Sequence, residues 1–195
     1  MVSADQRPDR GRHEQQGYGT AGSKAGGFSS AGFSTRAIHV GSEPDPATGS
    51  VVTPLYQTST YKQDGVGALR TGLGAGYEYS RSGNPTRTAL EDTLAALEAP
   101  SGVLGTRAFA FASGLAAEDA VLRAVLRQGD HVVIPDDAYG GTYRLIARVA
   151  GPSGIEHGAA HLADLDGVRA AISPGRTRLI WVETPTNPLL TVADI

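Results

Sequence analysis

Four short stretches of this chain combine side chains that grip anions or stack on planar rings with residues that build tight turns. The first is Tyr79-Ser80-Arg81-Ser82-Gly83-Asn84-Pro85-Thr86-Arg87. An arginine guanidinium can make two parallel hydrogen bonds to a phosphate and a phenol O–H can add a third, so Tyr79 and Arg81 are a candidate phosphate grip. The second is Ala112-Ser113-Gly114-Leu115-Ala116-Ala117. At the start of a helix, Ser113-Gly114-Leu115 would offer free backbone N–H groups and the positive end of the helix dipole. Gly114 would let an anion approach the backbone closely. The same residues also read as an ordinary serine N-cap followed by a glycine.

The third stretch is Asp136-Asp137-Ala138-Tyr139-Gly140-Gly141. The Tyr139 ring could stack on a flat heteroaromatic ligand, with the glycines leaving room for it; a half-buried loop tyrosine is the other reading. Arg144, one turn later, is either a ligand-facing cation or a solvated helix arginine. The fourth is Glu183-Thr184-Pro185-Thr186-Asn187-Pro188. Its two prolines restrict the loop, so the Asn187 amide can be held in one direction. By pattern alone Asn187 equally reads as a plain turn residue.

The elements that must position these residues are legible in outline. Asn84 suits an N-cap and Pro85 the first helical position, with Leu90, Leu94 and Leu97 at helical spacing as far as Glu98. Four short strands are predicted next: Ala108 to Ala112, His131 to Pro135, Ile155 to Gly158 and Arg178 to Val182. Helices are predicted between them over Leu115 to Arg127, Thr142 to Ala150 and Leu162 to Ile172. Strands alternating with helices argue for an α/β fold with a mostly parallel sheet. In such sheets ligands bind at the carboxyl ends of strands, where the second, third and fourth stretches are all expected to fall. Upstream, residues 1–33 are polar and lack apolar periodicity, which predicts a disordered tail. Residues 34–76 read as an extended N-terminal arm and a glycine-rich loop, and residues 77–195 as the first part of a ligand-binding domain.

Composition narrows the function classes. Apolar residues make up 40% of the 195, enough for a globular core, and the formal charge of −3 gives no general attraction to nucleic acid or anionic membrane. There is no cysteine, so structural disulfides and thiolate metal sites are out. Apolar runs are strand-sized, and no secretory signal pattern opens the chain, so a cytoplasmic protein without a membrane span is expected. Gly72-Leu73-Gly74-Ala75-Gly76 is not a dinucleotide fingerprint, Ser113 lacks a hydrolase elbow, and the five histidines are not at metal-ligand spacing.

In their order and content the four stretches resemble the transsulfuration family of pyridoxal-phosphate enzymes, which includes cystathionine γ-synthase, cystathionine γ-lyase and methionine γ-lyase. The resemblance runs from about Phe33 to Ile195. It implies the large domain of a fold-type-I (aspartate aminotransferase-like) transferase, truncated part-way through its sheet. Pyridoxal 5'-phosphate is the implied cofactor, with an amino-acid substrate and γ-replacement or γ-elimination chemistry. Cofactor-binding roles are implied for Tyr79, Arg81, Ser113, Gly114, Leu115, Tyr139 and Asn187. Ser113, Gly114 and Leu115 would cradle the phosphate, Tyr139 would lie over the pyridine ring, and Asn187 would bond the 3-hydroxyl oxygen. Tyr79 and Arg81 would serve the phosphate of a neighbouring subunit in a homodimer or homotetramer. Tyr79 and Tyr139 are the implied catalytic tyrosines, and Arg144 and Glu183 the implied substrate-binding residues.

Two implied groups are missing, an aspartate for the pyridine nitrogen and the Schiff-base lysine. The family's Schiff-base lysine has no match among the two lysines, Lys24 and Lys62. The expectation is therefore cystathionine γ-synthase first and γ-lyase next, with this polypeptide inactive alone. The alternative is a noncatalytic fragment or an interaction subunit of a longer relative.

Overall fold

The computed structural model describes residues 28, 31–45, 47–66, 76–99, 105–193 and 195. Most of the predicted tail and of the glycine-rich loop lies outside the described residues. The chain divides into two compact units, Met1–Ala110 and Phe111–Ile195.

The first unit is built on α1 (Phe33–His39) and α2 (Pro85–Glu98). The sequence predicts an arm throughout residues 34–76, but its first residues form α1, which packs on α2. Val40, just past α1, is 1% exposed. Its carbonyl accepts the Thr93 hydroxyl of α2 at 2.7 Å, and Arg36 donates to the Ala96 carbonyl. Gly41 has a positive φ of 73° and lies so close to α2 that a Cβ would stand 2.3 Å from the Ala89 carbonyl oxygen. Only glycine satisfies both conditions. Ahead of α1, the Phe28 ring stacks on His39 with centroids 4.8 Å apart.

α2 starts as its spacing predicts. The Asn84 side chain accepts the Thr86 N–H at 2.9 Å and Pro85 occupies the first turn. The helix ends at Glu98, whose successor Ala99 is already extended.

The second unit alternates helix and parallel strand. β1 (His131–Pro135), β2 (Glu156–Ala160) and β3 (Thr177–Ile180) form a sheet in the order β2-β1-β3. Both pairings are parallel, with Val132 opposite His157 on one side and Leu179 on the other. All five residues of the central strand β1 are buried, as a strand flanked on both sides requires. Leu122 of α3 (Gly114–Val125) and its C-cap residue Leu126 join Val132, Ile134, Ile146 and Ile155 in one core.

After β1 the chain enters α4 (Gly140–Arg144), continues as a π-helical segment, Leu145–Ala150, and closes on a tight 3-10 turn at Gly151–Ser153. α5 (Leu165–Ala171) links β2 to β3. It is shorter than predicted because Asp164 caps it, accepting the Asp166 N–H at 3.1 Å, so Leu162 precedes the helix.

The strand predicted over Ala108 to Ala112 does not form. Residues 105–111 are irregular, Phe109 and Phe111 are exposed, and the Ala110 N–H is taken by the Glu91 side chain at 2.9 Å. Alternation of alanine and phenylalanine carries strand propensity, but a strand exists only where a second backbone pairs with it. Consequently Ser113 follows an irregular segment, not a strand.

Candidate functional site

The predicted site residues fall in both units. Tyr79 and Arg81 belong to the first; Ser113, Gly114, Leu115, Tyr139, Arg144, Glu183 and Asn187 belong to the second.

In the first unit a short backbone pairing carries Tyr79. Thr60 and Tyr79 form an antiparallel bridge, with Tyr61 N–H donating to the Glu78 carbonyl at 3.0 Å and Ser80 N–H to the Ser59 carbonyl at 2.8 Å. The turn that follows is stapled by Arg87, whose guanidinium donates to the carbonyls of Ser80, Arg81 and Ser82 at 3.0–3.3 Å. Its Nε also lies 3.5 Å from Glu91. This fixes the backbone of Arg81 and leaves its side chain free: the guanidinium stands 4.9 Å from the Tyr79 ring centroid and both residues are exposed. Arg81 makes no salt bridge with any described residue, so its donors are available to an anion.

Behind the turn, Asn84 donates to the Tyr56 carbonyl at 2.8 Å, and Thr86 bonds the Pro54 carbonyl and the Tyr56 N–H at 2.8 and 2.9 Å. Tyr56 in turn donates to Asp45 at 2.6 Å. That bond is the main cause holding the Asp45 carboxyl below its ordinary range, with help from the Thr48 hydroxyl and N–H. The arm thus acts as a brace for the Tyr79–Arg81 turn.

In the second unit Ser113 caps α3, accepting the Ala116 N–H at 3.2 Å. The amides of Gly114 and Leu115 have no acceptor within the helix, and no described atom occupies the space where a Gly114 Cβ would point. That geometry fits a phosphate: free donors, a dipole of the right sign and clear approach.

Tyr139 sits at the turn out of β1, immediately before α4, and is 43% exposed. Gly141 is buried beneath that ring, and a Cβ there would stand 2.3 Å from Tyr139 Cε1. This corrects the sequence reading of the glycines: Gly141 makes room for the tyrosine's own ring, and the outer ring face is what a planar ligand would meet. Gly140 lies against the Arg144 guanidinium, 3.1 Å from where its Cβ would be. Arg144 is exposed and has no salt bridge to a described residue.

The turn after β3 is bound to the turn after β1. Glu183 Oε2 accepts the Tyr139 N–H at 2.8 Å and its Oε1 accepts the Trp181 indole N–H at 3.2 Å. Both oxygens of this residue, expected to meet substrate, are therefore engaged within the chain. In the opposite direction Asp137 Oδ2 accepts the hydroxyls of Thr186 and Thr191 at 2.6 and 2.8 Å. These two bonds hold the Asp137 carboxyl below its ordinary range. Thr186, 1% exposed, completes the turn by accepting the Thr191 N–H at 2.9 Å. Asn187, its neighbour, is exposed.

Glu118 of α3 completes this corner. Its carboxyl titrates above the ordinary range, first because it is partly buried; the Glu183 charge adds to the effect and the Thr142 hydroxyl opposes it. Glu118 Oε2 and Thr142 Oγ1 are both buried without a hydrogen bond of good geometry.

Sequence reasoning named Tyr139, Asn187 and Glu183 but gave no role to Asp137, Thr186, Thr191 or Glu118. Asp137 and Thr186 lie inside the quoted motifs, yet nothing local pairs positions 49 residues apart. Among the described residues no helix is long and apolar enough to cross a membrane, and no three His, Asp or Glu groups converge as a metal site.

Residues 34–195 match the family model described as Cys/Met metabolism PLP-dependent enzyme. The chain belongs to that family. Cystathionine gamma-synthase of Mycobacterium tuberculosis is 62% identical over 164 residues, covering 84% of this chain and 40% of that protein. Cystathionine beta-lyase of Lactococcus lactis is 48% identical over 161 residues, covering 83% and 39%. The crystal structure of metB from Corynebacterium glutamicum superposes with a TM-score of 0.75 at 48% identity, covering 84% of this chain and 40% of that one. The chain thus spans about 40% of the length of these relatives. Membership in this family makes pyridoxal 5'-phosphate the cofactor, and the parallel α/β sheet is part of its fold-type-I domain. The relatives thus include a beta-lyase as well as gamma-synthases.

Proposed function

We propose that this chain carries the cofactor-holding face of a transsulfuration enzyme acting on sulfur amino acids or an O-acylhomoserine, with cystathionine γ-synthase as the first reading. The open N-terminus of α3, with free Gly114 and Leu115 amides beside clear space, carries the proposal. The 62% identity to a gamma-synthase favours that reaction over the lyases.

In this reading Ser113, Gly114 and Leu115 bind the phosphate through backbone N–H groups and the helix dipole. Arg81 and Tyr79, both exposed, serve the phosphate of a neighbouring subunit in a dimer or tetramer. The open face of the Tyr139 ring covers the pyridine, excluding water from it, and the Asn187 amide donates to the 3-hydroxyl oxygen. Arg144 supplies a cation near the cofactor and substrate. Tyr79 is placed to assist a proton transfer through its phenol. The bound cofactor itself would supply an electron sink for carbanion chemistry. The described lysine, Lys62, is exposed in the arm outside every one of these motifs, so turnover by this polypeptide alone is not expected.

Equilibrium dialysis with pyridoxal 5'-phosphate tests the reading. Saturable binding is expected, weakened about ten- to a hundredfold by Arg81→Ala, the weight of charge-assisted hydrogen bonds. Absence of saturable binding by the native chain, or binding indifferent to Arg81→Ala and Ser113→Ala alike, overturns it.

A further inference from the structure

Two of the side chains proposed to meet the cofactor, Tyr139 and Asn187, stand on different turns. Tyr139 follows β1 and Asn187 follows β3, and nothing in either turn's own backbone sets its height or angle relative to the other. Each turn instead sends one carboxylate to the other. Asp137, two residues before Tyr139, takes the hydroxyls of Thr186 and Thr191, which flank Asn187. Glu183, four residues before Asn187, takes the backbone N–H of Tyr139.

We propose that Asp137 and Glu183 form a reciprocal clamp that holds Tyr139 and Asn187 in register as one platform for a planar ligand. The ligand class rests on the cofactor reading above; the clamp itself rests on the three hydrogen bonds between the turns. Glu183 is then a positioning residue, and so is Asp137.

Three features support an interlocked device over a set of incidental bonds. The bonds run in opposite directions, so neither turn can slide along the sheet edge without breaking a charge-assisted contact. The acceptor sites are shared: Asp137 Oδ2 takes two hydroxyls, while Glu183 divides its oxygens between Tyr139 and the Trp181 indole. Trp181 is itself anchored in line with the sheet, its backbone N–H donating to the Val133 carbonyl of β1 at 2.8 Å. Glu183 therefore ties the Tyr139 turn to a side chain rooted beside the central strand. Finally, the Tyr139 ring rests over Gly141, where a Cβ would stand 2.3 Å from its Cε1, so a displaced Tyr139 backbone would carry the ring off that seat.

Amide hydrogen exchange on the full, ligand-free chain distinguishes a clamp from local bonds. Asp137→Ala leaves the acceptor of the Tyr139 amide intact. It should still speed exchange at that amide about tenfold, because the turn carrying Glu183 is released. Glu183→Ala should likewise speed exchange at the Thr191 amide, whose acceptor, Thr186, is untouched. Thr186→Val removes one clamp bond without deleting a charge and should reproduce the Asp137→Ala effect if that variant fails to fold. Effects confined to each variant's own turn would overturn the proposal.

In parallel, pyridoxal 5'-phosphate is titrated while emission of the sole tryptophan, Trp181, is followed. Clamp variants should bind about tenfold more weakly than the native chain, with Glu183→Gln closer to native because its amide oxygen can still accept the Tyr139 N–H. Unchanged affinity in variants whose cross-turn exchange has accelerated would sink the positioning role. A native chain that ignores the cofactor would sink the functional reading, and the exchange data would still decide the clamp.

Discussion

Among the described residues of the first unit, Val40 is the one apolar side chain fully buried, whereas the second unit buries Leu122, Leu126, Val132, Val133, Ile134, Ile146, Ile155, Ala160 and Leu162. The first unit compensates with polar lacing: Asp45 to Tyr56, Asn84 to Tyr56, Thr86 to Pro54, Thr93 to Val40 and Arg87 to three consecutive carbonyls. Hydrogen bonds are directional and net only modest stability, while apolar burial is non-directional and large. The first unit is thus specified in shape more strongly than it is stabilised. The second draws on its apolar core and places polar contacts at the strand ends, where Asp137 and Glu183 work.

This contrast can be broken most forcefully at the core. Ile134→Ala, at a residue 1% exposed in the central strand, should destabilise the second unit by about 2–5 kcal/mol. Denaturant unfolding followed by Trp181 emission would show it, and a loss below 1 kcal/mol would mean the sheet is not the source of that unit's stability. A middling effect is expected in the first unit. Asn84→Ala removes the cap of α2 together with the bond to Tyr56, at a cost of about 1–2 kcal/mol. Proteolysis within the arm should speed up while the Trp181 transition stays put. If that transition moved by a similar amount, the two units would not be independently held.

The smallest effects are in pH and have opposite signs on two carboxylates. Asp137 titrates low, so the stability it contributes is complete above its unfolded pKa of about 3.9 and is lost as pH falls through its folded value. Glu118 titrates high, so what it contributes is complete below its unfolded pKa of about 4.3 and is lost as pH rises through its folded value. Asp137→Asn should therefore flatten the loss of second-unit stability on the acid side of pH 4, while Glu118→Gln should raise stability at neutral pH. A stability profile between pH 3 and 7 for the three proteins checks both signs.

Legibility in the sequence followed the range of the interaction. The start of α2 was readable because Asn84, Pro85 and Thr86 cap within three residues. The Ser113 cap was readable for the same reason, and β1 because a strand buried on both faces is apolar throughout. α1 was missed because its residues carry little helical periodicity and gain their stability by packing on α2 some fifty residues later. The strand over Ala108 to Ala112 was wrongly expected because alternation was visible and the absence of a pairing backbone was not. At the site, Tyr139, Asn187 and Glu183 were named by motif, but the use of both Glu183 oxygens inside the chain was not foreseeable.

The sequence by itself determined family and cofactor class, because those depend on side-chain chemistry at short spacing; the residues proposed to touch a phosphate or a ring are named from the same motifs. The tertiary structure alone decided which of these side chains remain free and which are consumed by the fold. Asp137 meets Thr186 and Glu183 meets Tyr139 only because β3 pairs beside β1 in parallel, which brings residues more than forty positions apart to the same end of the sheet.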